Sequence, residues 1–218
     1  MTTNSVYYTV LDDSKKLPTK NINGLYLSGR LTHDPQQVES MFGHKCYKLS
    51  FAVITNTQKK HPLYLSAYGY LDHLPGIADL HQGDYLNFVL AIKTSFIRDL
   101  DSHRLNQSYI YYIRSYKVVA DEQMLNKVNT GRLTGIITNI HLTKTSGVVT
   151  IMSNARNQRA TILNISRKNP LKELQNFKKN DWIDVQYSIH TTINKRASFS
   201  YKRVAKIDNI NNGIMYLN

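Results

Sequence analysis

The feature that most constrains the fold is an alternation of apolar and polar residues in several short segments. In "YKLSFAVIT" (residues 47–55) every second residue from Tyr47 to Val53 is apolar, and "DYLNFVLAI" (84–92) and "WIDVQYSI" (182–189) repeat the pattern. Successive side chains of a β-strand point to opposite faces, so a period of two indicates strands with one buried face. We therefore expect a chain built mainly from half-buried strands.

The chain also contains an internal repeat. "SGRLTHD" at residues 28–34 returns as "TGRLTGI" at 130–136, and "HQGDYLNFVLAI" at 81–92 returns as "FKKNDWIDVQYSI" at 177–189. Two markers in the same order, separated by about the length of one small domain, indicate a duplicated unit.

Each unit is predicted to contain five strands, with a short helix between the third and the fourth. In the first unit the strands cover 24–33, 45–56, 63–71, 84–97 and 108–119, and the helix ends near Gly83. In the second unit they cover 131–142, 147–154, 158–166, 181–190 and 197–207, with a helix near 169–178. This order is that of the OB-fold, a five-stranded Greek-key barrel.

The sequence therefore predicts an all-β protein of two tandem OB-folds. The predicted boundaries are an N-terminal extension (1–23), a first OB-fold (24–120), a linker (121–130), a second, diverged OB-fold (131–208) and a C-terminal extension (209–218).

The charge balance points to a polyanionic partner. The chain has 28 Lys and Arg against 15 Asp and Glu, a net charge of +13. Such a balance favours nucleic acid, an anionic membrane surface or an acidic protein. One cysteine excludes an intrachain disulfide, and we find neither an 18-residue apolar run nor a signal-peptide pattern. We therefore expect a soluble cytoplasmic protein that does not bind a membrane.

A tyrosine-rich segment indicates the surface that would meet this partner. In "YLSAYGY", Tyr64, Tyr68 and Tyr70 share one parity, and the small and aliphatic residues share the other. A barrel strand of this kind would present an outer row of rings, and each base stacked on such a ring contributes roughly 1–3 kcal/mol. The alternative is that the tyrosines point inward or cover a subunit interface with their hydroxyls at the rim.

Basic residues are interleaved with these tyrosines and are predicted to contact phosphates. In the first unit they are Lys48, Lys59, Lys60, Lys93, Arg98, Arg104 and Arg114, and in the second Arg156, Arg159, Arg167, Lys195 and Arg196. Counting back from Asp181 as one counts from Asp84 puts Thr161, Ile165 and Arg167 in the places of the three tyrosines. The second unit is therefore predicted to be an electrostatic track or a diverged assembly domain.

Four segments of the first unit resemble the bacterial single-stranded DNA-binding proteins. They are "GRLTHDPQ" (29–36), "YKLSFAVITNT" (47–57) after Gly43, "YLSAYGY" and "LHQGDYLNF" (80–88). In that family the third strand ends in a tryptophan that stacks on DNA, and Tyr70 takes this place here. Arg30 matches the signature arginine of the family, in a binding or a structural role. Over the second unit the resemblance rests mainly on the internal repeat.

The resemblance also bears on partners. Family members recruit replication and repair enzymes through an acidic C-terminal tip, and this sequence ends in "IDNINNGIMYLN". We therefore expect no recruitment through such a tip, and a specialised member from a plasmid, phage or other mobile element. Family members work with four OB-folds, so two chains would suffice. A preformed homodimer and DNA-dependent assembly both remain open.

Features typical of enzymes are missing from the sequence. His44, Cys46 and His61 lack the usual spacing of metal ligands, and no GxxxxGK[ST] or GxSxG motif occurs. We expect no catalytic role, metal or cofactor. The predicted function is sequence-tolerant binding of single-stranded DNA, to protect or organise it in replication, recombination or transfer. The alternatives are an RNA-binding OB protein and an OB-fold scaffold that binds another protein.

Overall fold

A computed structural model describes residues 22–39, 45–56, 63–98, 105–144, 146–153, 161–168, 172–194 and 200–210. The strands are β1 (Asn23–Leu31), β2 (Gln36–Glu39), β3 (Lys45–Val53), β4 (Tyr64–Tyr70), β5 (Tyr85–Arg98), β6 (Leu105–Val119), β7 (Asn129–Leu142), β8 (Ser146–Ser153), β9 (Thr161–Lys168), β10 (Trp182–Asn194) and β11 (Ser200–Ile210). The helices in this described part are three short 3₁₀ segments, at Ile77–Asp79, Glu122–Met124 and Lys172–Asn176.

The strands close into two barrels with the same topology. In the first, β1 pairs with β3 and β5, β3 pairs with β4, β5 pairs with β6, and a parallel pairing of β4 with β6 completes the ring. In the second, β7, β8, β9, β11 and β10 form the same ring, with β9 and β11 parallel. This confirms the prediction of an all-β chain with two tandem OB-folds.

The alternating residues fill the barrels as their period predicts. Leu49 and Phe51 of β3 and Leu86 and Phe88 of β5 are fully buried. The rings of Phe51 and Phe88 stack with centroids 4.4 Å apart. Burying one face of each strand in this way contributes about 1.5–3 kcal/mol for each large apolar side chain.

Two local features differ from the sequence prediction. The short helix between the third and fourth strands is a 3₁₀ turn, because Gly76 immediately before it has a φ of 84° and a helix cannot extend through that residue. The additional short strand β2 pairs with β3. Its sequence "QQVE" has a single apolar residue and so no alternation by which it could be recognised.

The observed strands also extend slightly past the predicted boundaries. β7 begins at Asn129, inside the predicted linker, and β11 ends at Ile210, after the predicted end of the second OB-fold. Residues 1–21 and 211–218 of the predicted extensions lie outside the described residues. The domain boundaries themselves stay a prediction.

The two barrels are joined along one antiparallel seam between β1 and β7. The paired residues include Asn23–Leu133, Leu25–Gly131 and Leu27–Asn129. The outer two pairs lie symmetrically about the central pair, so the seam has a pseudo-two-fold axis at Leu25 and Gly131. The barrels thereby become parts of one continuous eleven-stranded sheet.

Two asparagines make equivalent hydrogen bonds on either side of this axis. Asn23 Nδ2 donates to the backbone oxygen of Ile92 at 2.7 Å, and Asn129 Nδ2 donates to that of Ile189 at 2.7 Å. Each asparagine oxygen accepts from the backbone nitrogen of the same isoleucine. In each barrel the asparagine side chain therefore satisfies the backbone N–H and C=O groups of one isoleucine.

A second pair of hydrogen bonds, from β1 and from β7, defines which residues of the two barrels correspond. Leu31 N donates to the oxygen of Asp84 at 2.9 Å, and Ile137 N donates to that of Asp181 at 2.9 Å. Leu31 and Ile137 are therefore equivalent, and so are Asn23 and Asn129, which lie the same number of residues earlier.

This correspondence corrects the register of the internal repeat. The repeat is present, but Gly29 corresponds to Gly135, and Gly131 of "TGRLTGI" lies four residues too early. A Cβ on Gly29 would lie 2.7 Å from the oxygen of Ala52, and one on Gly135 would collide with the oxygen of Met152. Close approach of a neighbouring strand explains the glycine at both equivalent positions.

Gly131 is required for a different reason. Its equivalent in the first barrel is Leu25, which pairs with Leu90, whereas Gly131 pairs with Tyr187. Tyr187 is fully buried, and a Cβ on Gly131 would overlap its ring. A leucine–leucine pair in one barrel is thus replaced by a glycine–tyrosine pair in the other, in which the tyrosine ring fills the space beside the glycine.

Candidate nucleic-acid interface

The tyrosines of β4 lie on the outer surface of the first barrel. Tyr64 is 55% exposed, and Tyr68 and Tyr70 are half-buried. Leu65 and Ala67 between them are buried in the core. The alternation therefore predicted the orientation of this strand correctly, and the alternative of inward-pointing tyrosines is wrong.

A fourth tyrosine, which the sequence analysis did not identify as a site residue, forms the centre of this surface. Tyr112 of β6 is the parallel register partner of Tyr68. The centroid of its ring lies 6.4 Å from that of Tyr68 and 6.2 Å from that of Tyr70, and the ring is nearly parallel to that of Tyr70, at 5°. We call Tyr68, Tyr70 and Tyr112 the tyrosine cluster. The sequence does contain a signal for Tyr112: in "YIYYI" (109–113) it lies on the parity opposite to that of the buried Tyr111 and Ile113.

Two of the predicted lysines flank the tyrosine cluster. Lys93 Nζ lies 4.6 Å from the centroid of the Tyr112 ring, in a cation–π contact. Lys48 is the cross-strand partner of Tyr68. The strand pairing thus places four predicted site residues around Tyr112, which was not predicted. They are Lys48, Lys93, Tyr68 and Tyr70.

Burial perturbs the ionisation of this cluster. Desolvation by burial raises the pKa of Tyr70 and of Tyr112, so both hydroxyls remain protonated at neutral pH and can donate hydrogen bonds. Desolvation lowers the pKa of Lys93, which nevertheless keeps its charge at neutral pH. The surface therefore combines apolar rings, hydroxyl donors and a positive charge.

Arg114 lies at a β-bulge. Val89 pairs with Ser115 and Leu90 pairs with Ile113, so Arg114 is the extra residue of β6. Its side chain is exposed. Burial raises the pKa of Tyr26, and the charge of Arg114 opposes this rise with a smaller effect. Arg114 therefore acts electrostatically on the seam.

The other predicted cations fall outside what the structure describes or are defined only by strand position. Arg98 is the last residue of β5, and Arg167 is on β9. Outside the described residues lie Lys59, Lys60, Arg104, Arg156, Arg159, Lys195 and Arg196. Their contribution to binding stays a prediction.

The strand register corrects the correspondence between the tyrosines and the second barrel. Phe51 of β3 pairs with Leu31, and Ile151 of β8 pairs with Ile137, the equivalent of Leu31. The strands β3 and β8 are therefore equivalent, and so are β4 and β9, which pair with them. Counted along these pairings, Tyr64, Tyr68 and Tyr70 correspond to Ile162, Ser166 and Lys168.

The predicted correspondence to Thr161, Ile165 and Arg167 is thus wrong by one residue. The connection from Lys168 to Asp181 is one residue shorter than that from Tyr70 to Asp84, so an equal count back from Asp181 goes one residue too far. In a strand, a slip of one residue exchanges the two faces. Arg167 occupies the position of Gly69, and the aromatic row is absent from the second barrel under either register.

The second barrel also differs at the positions around Tyr112. Lys206 replaces Tyr112, His190 replaces Lys93, and Asp208 replaces Arg114 at the corresponding bulge. The Ser188 hydroxyl lies 2.8 Å from His190 Nε2 and donates to Asp208 Oδ1 at 3.0 Å. Ser188 therefore connects the histidine to a carboxylate, where the first barrel has a lysine over the ring of Tyr112.

Arg30 and Asp34 of the family-like signature hold a turn. Arg30 Nε donates to the backbone oxygen of Gly83 at 3.2 Å, and its guanidinium lies 5.5 Å from the centroid of the Tyr85 ring. Asp34 Oδ1 accepts from the backbone nitrogen of Gln82 at 2.7 Å. These contacts stabilise the turn before β5 and give both residues a structural role.

Comparison with known proteins identifies structural neighbours only. No protein-family model and no curated protein matches the chain. The fold is similar to that of a deletion mutant of the single-stranded DNA-binding protein from Thermus aquaticus, with 13% identity, a TM-score of 0.64 and coverage of 91% of this chain and 98% of that chain. The wild-type protein of that species matches with 14% identity, a TM-score of 0.61 and coverage of 88% and 93%, respectively.

These likenesses establish the class to which the fold belongs. The chain has the OB-fold architecture of these single-stranded DNA-binding proteins, at an identity too low to carry over residue roles. Among the described residues, no three His, Cys, Asp or Glu side chains are grouped closely enough to hold a metal ion. No helix in this part of the chain has the length and apolarity needed to cross a membrane.

Proposed function

We propose that this protein binds single-stranded DNA with little sequence preference. The observation that carries the proposal is the tyrosine cluster on the outer surface of the first barrel, flanked by Lys48 and Lys93. Rings on such a surface stack on unpaired bases of any identity, and adjacent lysines neutralise phosphates. The similar fold of proteins named for binding single-stranded DNA supports the same reading.

The two barrels contribute differently in this proposal. The first supplies stacking through Tyr64, Tyr68 and Tyr70. The second has Ile162, Ser166 and Lys168 in their places and contributes mainly charge. The remaining predicted cations, which continue the basic path, are Lys59, Lys60, Arg98, Arg104, Arg114, Arg156, Arg159, Arg167, Lys195 and Arg196.

The biological setting follows from the family resemblance. We propose that the protein protects or organises strands exposed in replication, recombination or transfer, in the cytoplasm and in the service of a mobile element. Binding alone performs this role, without a catalytic step or a cofactor.

The test is a polarisation titration against oligo-dT, oligo-U and duplex DNA of one length, each at two salt concentrations. We expect the tightest binding to oligo-dT, with a log–log salt slope of about −3.5 if one chain neutralises about five phosphates. Equal affinity for the duplex would contradict stacking. A preference for oligo-U would favour an RNA-binding protein, and no binding to any of the three would favour a protein scaffold.

A further inference from the structure

Lys93 is a half-buried cation whose ammonium group lies against an aromatic ring. It makes no ion pair with a described carboxylate, and its ammonium group lies over the face of the Tyr112 ring. A charge withdrawn from water is ordinarily paired, since the loss of hydration is otherwise uncompensated. The site therefore holds a positive charge ready for an anion that the described residues do not supply.

The second barrel shows that this arrangement is particular to the first. His190 occupies the position of Lys93, and Ser188 links it to Asp208 through hydrogen bonds of 2.8 and 3.0 Å. The positive charge that His190 could carry already has a carboxylate nearby. The equivalent position therefore needs no external anion.

Tyr112 has a different environment from the other rings of the cluster. An ammonium group already covers one face of its ring, and Tyr68 and Tyr70 surround it at 6.4 and 6.2 Å between centroids. Tyr68 and Tyr70 are half-buried as Tyr112 is, so the ammonium group on its face is what distinguishes Tyr112 from them. Tyr112 is thus placed to hold Lys93, and less well placed than its neighbours to receive a base.

We propose that Lys93 and Tyr112 form a preformed phosphate site, in which Lys93 binds one phosphodiester group of the strand and Tyr112 is a positioning residue on which no base stacks. This inference rests on the proposed function and refines it. It divides the cluster into rings that bind bases, Tyr68 and Tyr70, and a ring that orients a cation.

The experiment compares oligo-dT with an abasic strand of equal length, which offers phosphates without bases, across a salt series. For Lys93→Gln we expect weaker binding to both strands and a salt slope smaller in magnitude by about 0.7, the value for one phosphate on a single strand. Tyr112→Leu should show the same two losses. Tyr112→Phe, which keeps the ring, should match the wild type.

The double variant Lys93→Gln with Tyr112→Leu separates the two roles of Tyr112. If Tyr112 acts through Lys93, the double variant should lose no more than Lys93→Gln alone. A base-stacking Tyr112 would instead lose affinity for oligo-dT only, with an unchanged salt slope and effects that add to those of Lys93→Gln. That outcome would overturn the proposal.

An NMR measurement on the unmodified protein covers the case in which Tyr112→Leu does not fold. The ε-methylene protons of Lys93 should show an upfield ring-current shift in the free protein and should move when the abasic strand is added. Random-coil shifts that do not respond to that strand would refute the site. Failure of the wild type to bind oligo-dT at all would refute the proposed function, an outcome distinct from either of these.

Discussion

The pairing of Gly131 with Tyr187 offers the sharpest test of how the two barrels are joined. These residues face each other between β7 and β10, at the position where the first barrel pairs Leu25 with Leu90. Since Tyr187 fills the space that a side chain on Gly131 would need, each single substitution should be costly. Replacing both by leucine recreates the pair of the first barrel and should restore much of the loss.

The magnitudes follow from packing. Gly131→Leu overfills a buried site, at a cost of about 3 kcal/mol. Tyr187→Leu removes ring atoms from a fully buried position and should also cost about 3 kcal/mol. Independent effects would sum to about 6 kcal/mol, whereas we expect the double variant to lose about 3 kcal/mol, a coupling of about 3 kcal/mol.

The assay is urea unfolding of the four proteins of this cycle, with thermal unfolding as a second measure. For a chain of this size each 1 kcal/mol corresponds to roughly 2–4 °C in Tm. Gly24→Ala is the matched control, because its Cβ would lie 3.8 Å from Tyr26 Cε2, an ordinary contact, and should cost less than about 1 kcal/mol. Strictly additive losses in the cycle would refute the steric coupling between Gly131 and Tyr187.

Four further predictions concern stability, DNA binding, pH dependence and assembly. Tyr187→Phe should leave stability unchanged or raise it by about 1 kcal/mol, because the buried hydroxyl has no hydrogen-bond partner among the described residues; a loss above 1 kcal/mol in urea unfolding would contradict this. Tyr70→Ala should weaken oligo-dT binding by roughly 1–3 kcal/mol. Lys168→Ala should instead mainly reduce the salt slope, and equal effects of the two variants would argue against the division between barrels. Burial lowers the pKa of Lys93, so this lysine loses its proton at a lower pH than an exposed lysine. Its phosphate contact should therefore be the first to weaken as the pH rises, and a salt slope that decreases no earlier in the wild type than in Lys93→Gln would contradict this. Light scattering without DNA should give twice the mass of one chain if the dimer is preformed, whereas a mass near 25.1 kDa that grows only with longer oligonucleotides would indicate assembly on the strand.

The period of two in the sequence determined the strands and the orientation of their faces. Leu65 and Ala67 are inside and Tyr64, Tyr68 and Tyr70 outside because neighbouring side chains in a strand must diverge, whatever the strand pairs with. The order of strands and of the intervening turn was enough to predict the OB-fold. A short polar strand such as β2 carries no such signal and was missed.

Contacts between strands that are distant in sequence were decided only by the tertiary structure. Tyr112 and Lys93 meet because β6 closes the barrel against β4 and β5, and no local pattern records that closure. Register has the same origin: a connection one residue shorter shifted the equivalent of Tyr70 to Lys168, and pairing across the seam made Gly131 the equivalent of Leu25. Alternation is a property of one strand, whereas register and packing are properties of pairs of strands, and only the folded barrel fixes which pairs form.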